Sequence, residues 1–256
     1  MLTRAIVRPP GTSFARGITS AQLGEPDLAA ALIQHGSYSA ALERCGLSLI
    51  PLEPDARFPD STFVEDTAVL TDRVAILARP GAPSRQGEVA LLAPTLAKCY
   101  EERIAIGEPG TLDGGDVCPA GDHFFIGISG RTNEAGAAQL AGVLANHGYS
   151  STPVDIRGFP GLLHLKSGLS CVDDDRLVVG PRLAGHPALG GFERVLVDPE
   201  EAYAANCVRA NAYVLVADGA PRLVAALERL EYSVITLEMS EFRKMDGGLS
   251  CLSLRF

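Results

Sequence analysis

No run of apolar residues in this 256-residue chain approaches the roughly 20 that a bilayer-spanning helix needs, and the opening "MLTRAIVRPP" has no long hydrophobic stretch of the kind that directs export. A chain lacking both is expected in a reducing cytoplasm, with its cysteines as free thiols. Cysteine pairs of the C-x-x-C type are also missing. Cys45, Cys99, Cys118, Cys171, Cys207 and Cys251 are scattered, and none has a histidine at zinc-finger spacing, so neither a structural metal nor a cofactor is expected. Nor is there a cluster of lysine and arginine. With a formal net charge of -9 and a pI near 5.1, nucleic acid would be repelled, whereas a small cationic ligand would not. What is present is 46% hydrophobic and 21% charged, ample for one domain over residues 1–256, with a homodimer left open.

A unit of strand, tight turn, strand, helix and strand recurs along the chain. "FVEDTAVLTDRVAILARP" reads as a hairpin about Thr71-Asp72, followed by a helix in "SRQGEVALLAPTLAKCY" that Pro94 should break, and by the strand "RIAIG". "GGDVCPAGDHFFIGIS" turns about Ala120-Gly121-Asp122 and leads into a helix that Thr132 can cap and Gly148 can end. A third copy turns at Asp173-Asp174-Asp175 and has no clear helix, and a fourth runs from "NCVRANAYVLVADG" to "SVITLE". The tail "GLSCLSLRF" and the head "TRAIVRPP" complete a fifth unit if the terminal strands pair. First strands should then begin near Glu65, Gly115, His164, Asn206 and Ser250, at intervals of roughly 40 to 50 residues. The expected architecture is α/β: a five-bladed α/β propeller of ββαβ units, closed by pairing of the N- and C-terminal strands. An ordinary doubly wound sheet is the alternative, but it would not contain the hairpins.

In a radial array the first strands line the axis, and they carry Glu65, Asp66, Asp113, Asp116, His164, Lys166, Asn206, Asp246 and Cys251. Period-two alternation sets Cys251 with Ser253 and Arg255 against Leu252, Leu254 and Phe256, and sets His164 with Lys166 against the flanking leucines. A cysteine nucleophile needs an acid or base and a histidine needs an orienting acceptor, which Cys251, His164 and Asp113 would supply. On residue type alone, buried structural roles for the pair stay open. "DSTFVED" adds Asp60, Glu65 and Asp66 beside Phe63 with no compensating cation, an arrangement that a cationic ligand would neutralise. "ARGITSAQLGEPD", residues 15–27, is a candidate lid.

The segments "FPDSTFVEDTAV", "RPGAPSRQGEV", "TLDGGDV", "GRTNEAG", "LHLKSGL", "AANC" and "DGGLSC" together resemble the dimethylarginine dimethylaminohydrolases of the guanidine-modifying, or pentein, superfamily, over essentially the whole chain. The resemblance implies hydrolysis of methylated arginine to citrulline, with Cys251 as nucleophile, His164 as general acid and base, and Asp113 as its carboxylate partner, where several relatives carry Glu. It implies that Asp66 and Glu65 hold the guanidinium and its surroundings, that Asp60 and backbone groups at Ile18 and Met245 take the α-amino group, and that Arg85 and Arg131 clamp the α-carboxylate, with Phe63 packing on the substrate. Deiminases and amidinotransferases of the same superfamily typically show His-x-Asp; here the motif is "HLK", and Lys166 favours the methyl-tolerant hydrolase. A non-catalytic binding ring of the same architecture would have no reason to keep Cys251, His164 and Asp113 together.

Overall fold

The computed structural model describes every residue from Met1 to Phe256. β1 (Arg4–Val7), α1 (Leu28–Arg44) and β2 (Ser48–Pro51) come first, with β2 parallel to β1. An antiparallel hairpin, a helix and a parallel return strand then recur. β3 (Ala68–Leu70), β4 (Ala75–Leu77), α2 (Glu88–Leu96) and β5 (Arg103–Ala105) form one copy. β6 (Val117–Ala120), β7 (His123–Ile128), α3 (Glu134–Asn146) and β8 (Ser150–Asp155) form the next. β9 (Leu169–Asp173), β10 (Arg176–Val179) and β11 (Glu193–Leu196) follow, with the 3-10 turn Pro187–Leu189 where the other copies have a helix. β12 (Val208–Ala210), β13 (Tyr213–Ala217), α4 (Pro221–Arg229) and β14 (Ser233–Leu237) complete the series. After a short helix α5 (Ser240–Arg243), β15 (Ser253–Arg255) lies antiparallel to β1, with Ala5 opposite Arg255 and Val7 opposite Ser253. The fifth of five three-stranded sheets is thus assembled from both chain ends, as the closed propeller requires.

Local chemistry explains the hairpins. Gly121 takes φ +59° between β6 and β7, and Asn211 takes φ +54° between β12 and β13; both residue types tolerate the left-handed region. Two expectations change in detail. α3 is capped by Asn133, whose side chain accepts from Gly136 N, rather than by Thr132, whose hydroxyl instead accepts from Asp113 N at 3.1 Å. α2 passes through Pro94 and stops at Leu96, so the proline falls in its last turn and marks an end instead of a mid-helix break.

Five apolar clusters hold the ring, one between each pair of neighbouring sheets. Strand alternation deals side chains to both sides: Phe124 and Ile126 pack toward the β3–β4–β5 sheet, and Phe125 packs toward β9 and β10. β1 divides likewise, with Ala5 and Val7 against the β12–β14 sheet and Ile6 against β3, β4 and α2. Both faces of each sheet are covered, which is why the strands read as nearly continuous hydrophobic runs. Burying one such phenylalanine is worth about 1.5–3 kcal/mol, and no single cluster dominates. No helix is long and apolar enough to cross a membrane.

Candidate active site

The polar residues expected on the first strands lie instead on short 3-10 helices that lead into them or directly beside these helices, as Asp113, His164 and Asn206 do, with Asp246 in the turn before the last. The helices are Val64–Thr67, Gly114–Asp116, Leu165–Ser167, Pro199–Ala205 and Ser250–Leu252. The two-residue alternation that sorted Cys251 with Ser253 and Arg255, and His164 with Lys166, therefore does not apply: a 3-10 turn repeats every third residue. Convergence on the axis survives because the turns themselves meet there.

Side chains stitch these turns into a closed hoop. Gly115 N donates to Asp66 Oδ1 at 2.9 Å, and Leu165 N donates to Asp116 Oδ1 at 2.9 Å. Asn206 Nδ2 reaches Lys166 O at 2.9 Å and Ser250 Oγ at 3.0 Å, while Ser250 N returns a bond to Asn206 Oδ1. Ser250 Oγ then donates to Glu65 Oε2 at 2.7 Å, joining the last turn to the first. Asp66, Asp116, Asn206, Ser250 and Glu65 are buried, where an unpaired polar group would be costly.

Within the hoop, His164 Nε2 lies 3.0 Å from Asp113 Oδ2 and 3.9 Å from Asp66 Oδ1. Asp113 is fixed in turn by Gly81 N, which donates to Oδ1 at 2.8 Å. Burial alone would lower the His164 pKa, but the carboxylates of Asp66, Asp116 and Asp113 outweigh it and raise it to about 9. Burial raises Asp116 to about 6, offset in part by His164 and by the bond from Ser129 Oγ at 2.7 Å. Desolvation opposes the charge on Asp66, yet His164 and Arg85 hold it below the usual carboxylate range. Cys251 Sγ accepts from Gly248 N at 3.4 Å, and burial together with Glu65 and Asp66 pushes its thiol up to about 12.

Two cavities meet at Cys251 and His164. The inner one, of ≈ 20 Å³, is lined by Ile18, Asp60, Phe63, Asp66, Arg85, Arg131 and Met245 as well as by that pair. The outer one, of ≈ 300 Å³, adds Glu65 and Lys166. Every residue singled out from the sequence as a site residue therefore borders this region, except Asp113, fully buried behind His164, and Asp116, which is also fully buried. A third basin of ≈ 1040 Å³ opens on the other side of the axis, and Lys166 borders it too. Lys166 Nζ bonds Glu65 Oε1 at 2.6 Å, so Glu65 is already paired rather than free for a guanidinium. Asp60 accepts from Ile18 N at 3.0 Å, and burial raises its pKa.

Arg85 departs from the expected two-pronged clamp. Its Nε bonds Glu88, its Nη2 bonds Phe63 O and Glu88, and its Nη1 bonds Asp66 Oδ2 at 2.5 Å. Of its five N–H groups a single Nη1 hydrogen is left for a ligand. Arg131, 3.9 Å from Asp113 Oδ2, keeps its other donors. Asp66, Asp113 and His164 also place donor atoms within 4.8 Å of one another, with Asp66 bonded to Arg85 and Asp113 to His164. Ser250 and Glu88 were not singled out from the sequence; Glu88, three residues from Arg85, had a readable spacing, whereas Ser250 had none.

Comparison with known proteins agrees with this arrangement. Residues 58–189 match the arginine deiminase family. Over the full length of both chains, the protein is 43% identical to the N(G),N(G)-dimethylarginine dimethylaminohydrolase of Pseudomonas aeruginosa. A crystal structure of the dimethylarginine dimethylaminohydrolase from P. aeruginosa, a cysteine-to-serine mutant complexed with citrulline, superposes with a TM-score of 0.97 at 42% identity, covering all of both chains. A histidine-to-glycine dimethylarginine dimethylaminohydrolase captured as an adduct with S-methyl-L-thiocitrulline superposes at 0.96, again at 42% identity and full coverage of both chains. Shared sequence over the whole length and a shared ring of five sheets lead to one assignment: this chain belongs to the dimethylarginine dimethylaminohydrolase family of the guanidine-modifying superfamily.

Proposed function

We propose that the protein hydrolyses Nω-methylated arginines to citrulline and a methylamine through a covalent intermediate on Cys251. The observation that carries this reading is that Cys251 and His164 face the same two cavities, with Asp113 behind the imidazole and Asp60 and Asp66 beside the inner space.

In the free protein the pair is a neutral thiol beside an imidazolium, given values of about 12 and about 9. A guanidinium bound against Asp66 supplies the positive charge that favours the thiolate, and the thiol proton passes to solvent because His164 already carries its own. Sulfur adds to the guanidinium carbon, and His164 donates its proton to the departing amine. With Nε2 on Asp113, Nδ1 is the ring nitrogen left to exchange protons. Gly115 keeps the space beside it open, since a Cβ there would stand 2.7 Å from Nδ1. The neutral imidazole next takes a proton from water, the resulting hydroxide attacks the thiouronium carbon, and the thiolate leaves. Asp60 and the main chain at Ile18 and Met245 receive the α-amino group, Phe63 packs on the substrate, and Arg131 with the spare hydrogen of Arg85 receives the α-carboxylate. Because the inner space is only ≈ 20 Å³, Ile18 to Ser20 must swing away from Asp60 and Asp246 to admit substrate.

The test is citrulline release from asymmetric dimethylarginine by the purified protein without added metal, with arginine and monomethylarginine alongside. Cys251→Ser should retain the circular dichroism of the parent and release none; normal turnover by that variant would remove the nucleophile from the scheme.

A further inference from the structure

The outer cavity is larger than a methylamine requires. Its ≈ 300 Å³ holds on the order of ten waters at about 30 Å³ each, whereas dimethylamine has only three heavy atoms. Leu23, Leu162 and Tyr203 give it an apolar wall. Arg182 and Arg243 also border it; both are exposed, and neither has a carboxylate within 4.0 Å. Arg243 lies over the Tyr203 ring at 4.8 Å, which fixes its guanidinium at the wall. The acids of the same cavity are engaged elsewhere, Glu65 by Lys166 and Ser250, and Asp246 by the main chain and hydroxyl of Ser20. A space lined by the reacting cysteine, by hydrocarbon and by two guanidinium groups that no carboxylate pairs suits a methylene chain ending in an anion.

We propose that this cavity takes Nω-substituents that end in a carboxylate, so that Nω-(carboxyalkyl)arginines are hydrolysed to citrulline and the corresponding amino acid. The inference rests on the hydrolase reading above and names a further substrate class for the same site. Bond changes are those of the parent reaction. The thiolate of Cys251 bonds to the guanidinium carbon, and the bond from that carbon to the substituted nitrogen breaks with its electron pair staying on nitrogen. That nitrogen takes a proton from His164, and water then replaces sulfur. Carboxymethylarginine plus water gives citrulline plus glycine, with no oxidant or reductant. Arg182 and Arg243 bind the carboxylate end through charge-assisted, two-pronged hydrogen bonds.

Citrulline and the released amino acid are measured from Nω-(carboxymethyl)-, Nω-(2-carboxyethyl)-, Nω-propyl- and asymmetric dimethyl-L-arginine. At least one carboxyalkyl substrate should exceed the propyl compound, which has similar reach and no charge, by about tenfold in kcat/KM, the scale of one charged hydrogen bond. The double variant Arg182→Ala/Arg243→Ala should erase that advantage while turnover of dimethylarginine stays within about twofold, since exposed residues outside the reacting centre contribute little to it. Equal rates for propyl and carboxyalkyl substrates, or an advantage that survives the double variant, overturn the inference and leave the dimethylarginine reading standing. Absence of citrulline from dimethylarginine itself overturns that reading and the inference with it.

Discussion

Asn206 and Ser250 exchange two hydrogen bonds between neighbouring turns: Asn206 Nδ2 donates to Ser250 Oγ at 3.0 Å, and Ser250 N donates to Asn206 Oδ1 at 2.9 Å. Through its further bond to Lys166 O, Asn206 spans the gap between the turn bearing Cys251 and the turn bearing His164. Asn206→Ala should cost about 1–3 kcal/mol in urea denaturation, because the buried Ser250 amide loses its acceptor. The same change should lower kcat more than it alters KM, since it loosens the spacing of the reacting groups without touching the groups that hold the amino acid end. An unchanged kcat would show that the spacing is set elsewhere.

Gly115 sits where two side chains crowd. An added Cβ would lie 2.7 Å from His164 Nδ1 and 2.8 Å from Asp66 Oδ1, and both of those side chains are themselves bonded in place. Gly115→Ala should leave a folded protein whose kcat/KM falls by roughly a hundredfold, the usual consequence of an ångström-scale displacement of catalytic groups. Steady-state kinetics beside a thermal melt separates this from unfolding.

The His164 imidazole should titrate near pH 9, observed by NMR of its ring carbons. Asp66, Asp113 and Asp116 are the carboxylates that face it, while Arg85 and Arg131 are the nearby cations that offset part of their field. Asp116→Asn keeps an acceptor for Leu165 N and removes one of those charges, so the midpoint should drop by about a unit toward the ordinary histidine value. Activity dependent on the imidazolium, which falls as pH climbs through about 9 in the parent, should then fall at lower pH. The sign for stability is the same. A raised folded-state value contributes fully below the unfolded value near 6.5 and is lost as pH rises through about 9. A midpoint that ignores the substitution would assign Asp116 to packing alone.

Cys251 is expected to be a poor nucleophile before substrate arrives. Its alkylation by neutral iodoacetamide, followed by peptide mapping to distinguish it from the other five cysteines, should accelerate steadily beyond pH 8.5 with no plateau at neutral pH. A plateau near pH 7 would mean that the thiolate forms without the substrate's charge.

How much was readable in advance follows from what kind of signal each feature leaves. Gly121, Asp174 and the helix of Glu134–Asn146 mark their unit by turn and cap chemistry, so the ring of five repeats and its closure by the two ends could be inferred. The 3-10 entries to the first strands left no such mark. One turn of helix has too few residues to show a period, and alternation over "LSCLSLRF" read as strand from Ser250, three residues too early. Residue types at the site were legible because uncompensated acids are unusual before an apolar strand. Their partners were not: Ser250 and Glu65 are 185 positions apart. Pairing of Arg85 with Asp66 and Glu88 depends on three-dimensional approach that spacing alone reveals only for Glu88.

The bonded Glu65–Lys166 pair acts as a bulkhead across the axis. Solvent in the rear basin meets Lys166 bonded to Glu65 instead of a bare carboxylate. Lys166 of the "HLK" motif thereby borders the front cavity and the rear basin at once, a charge-neutralised partition between two solvent spaces.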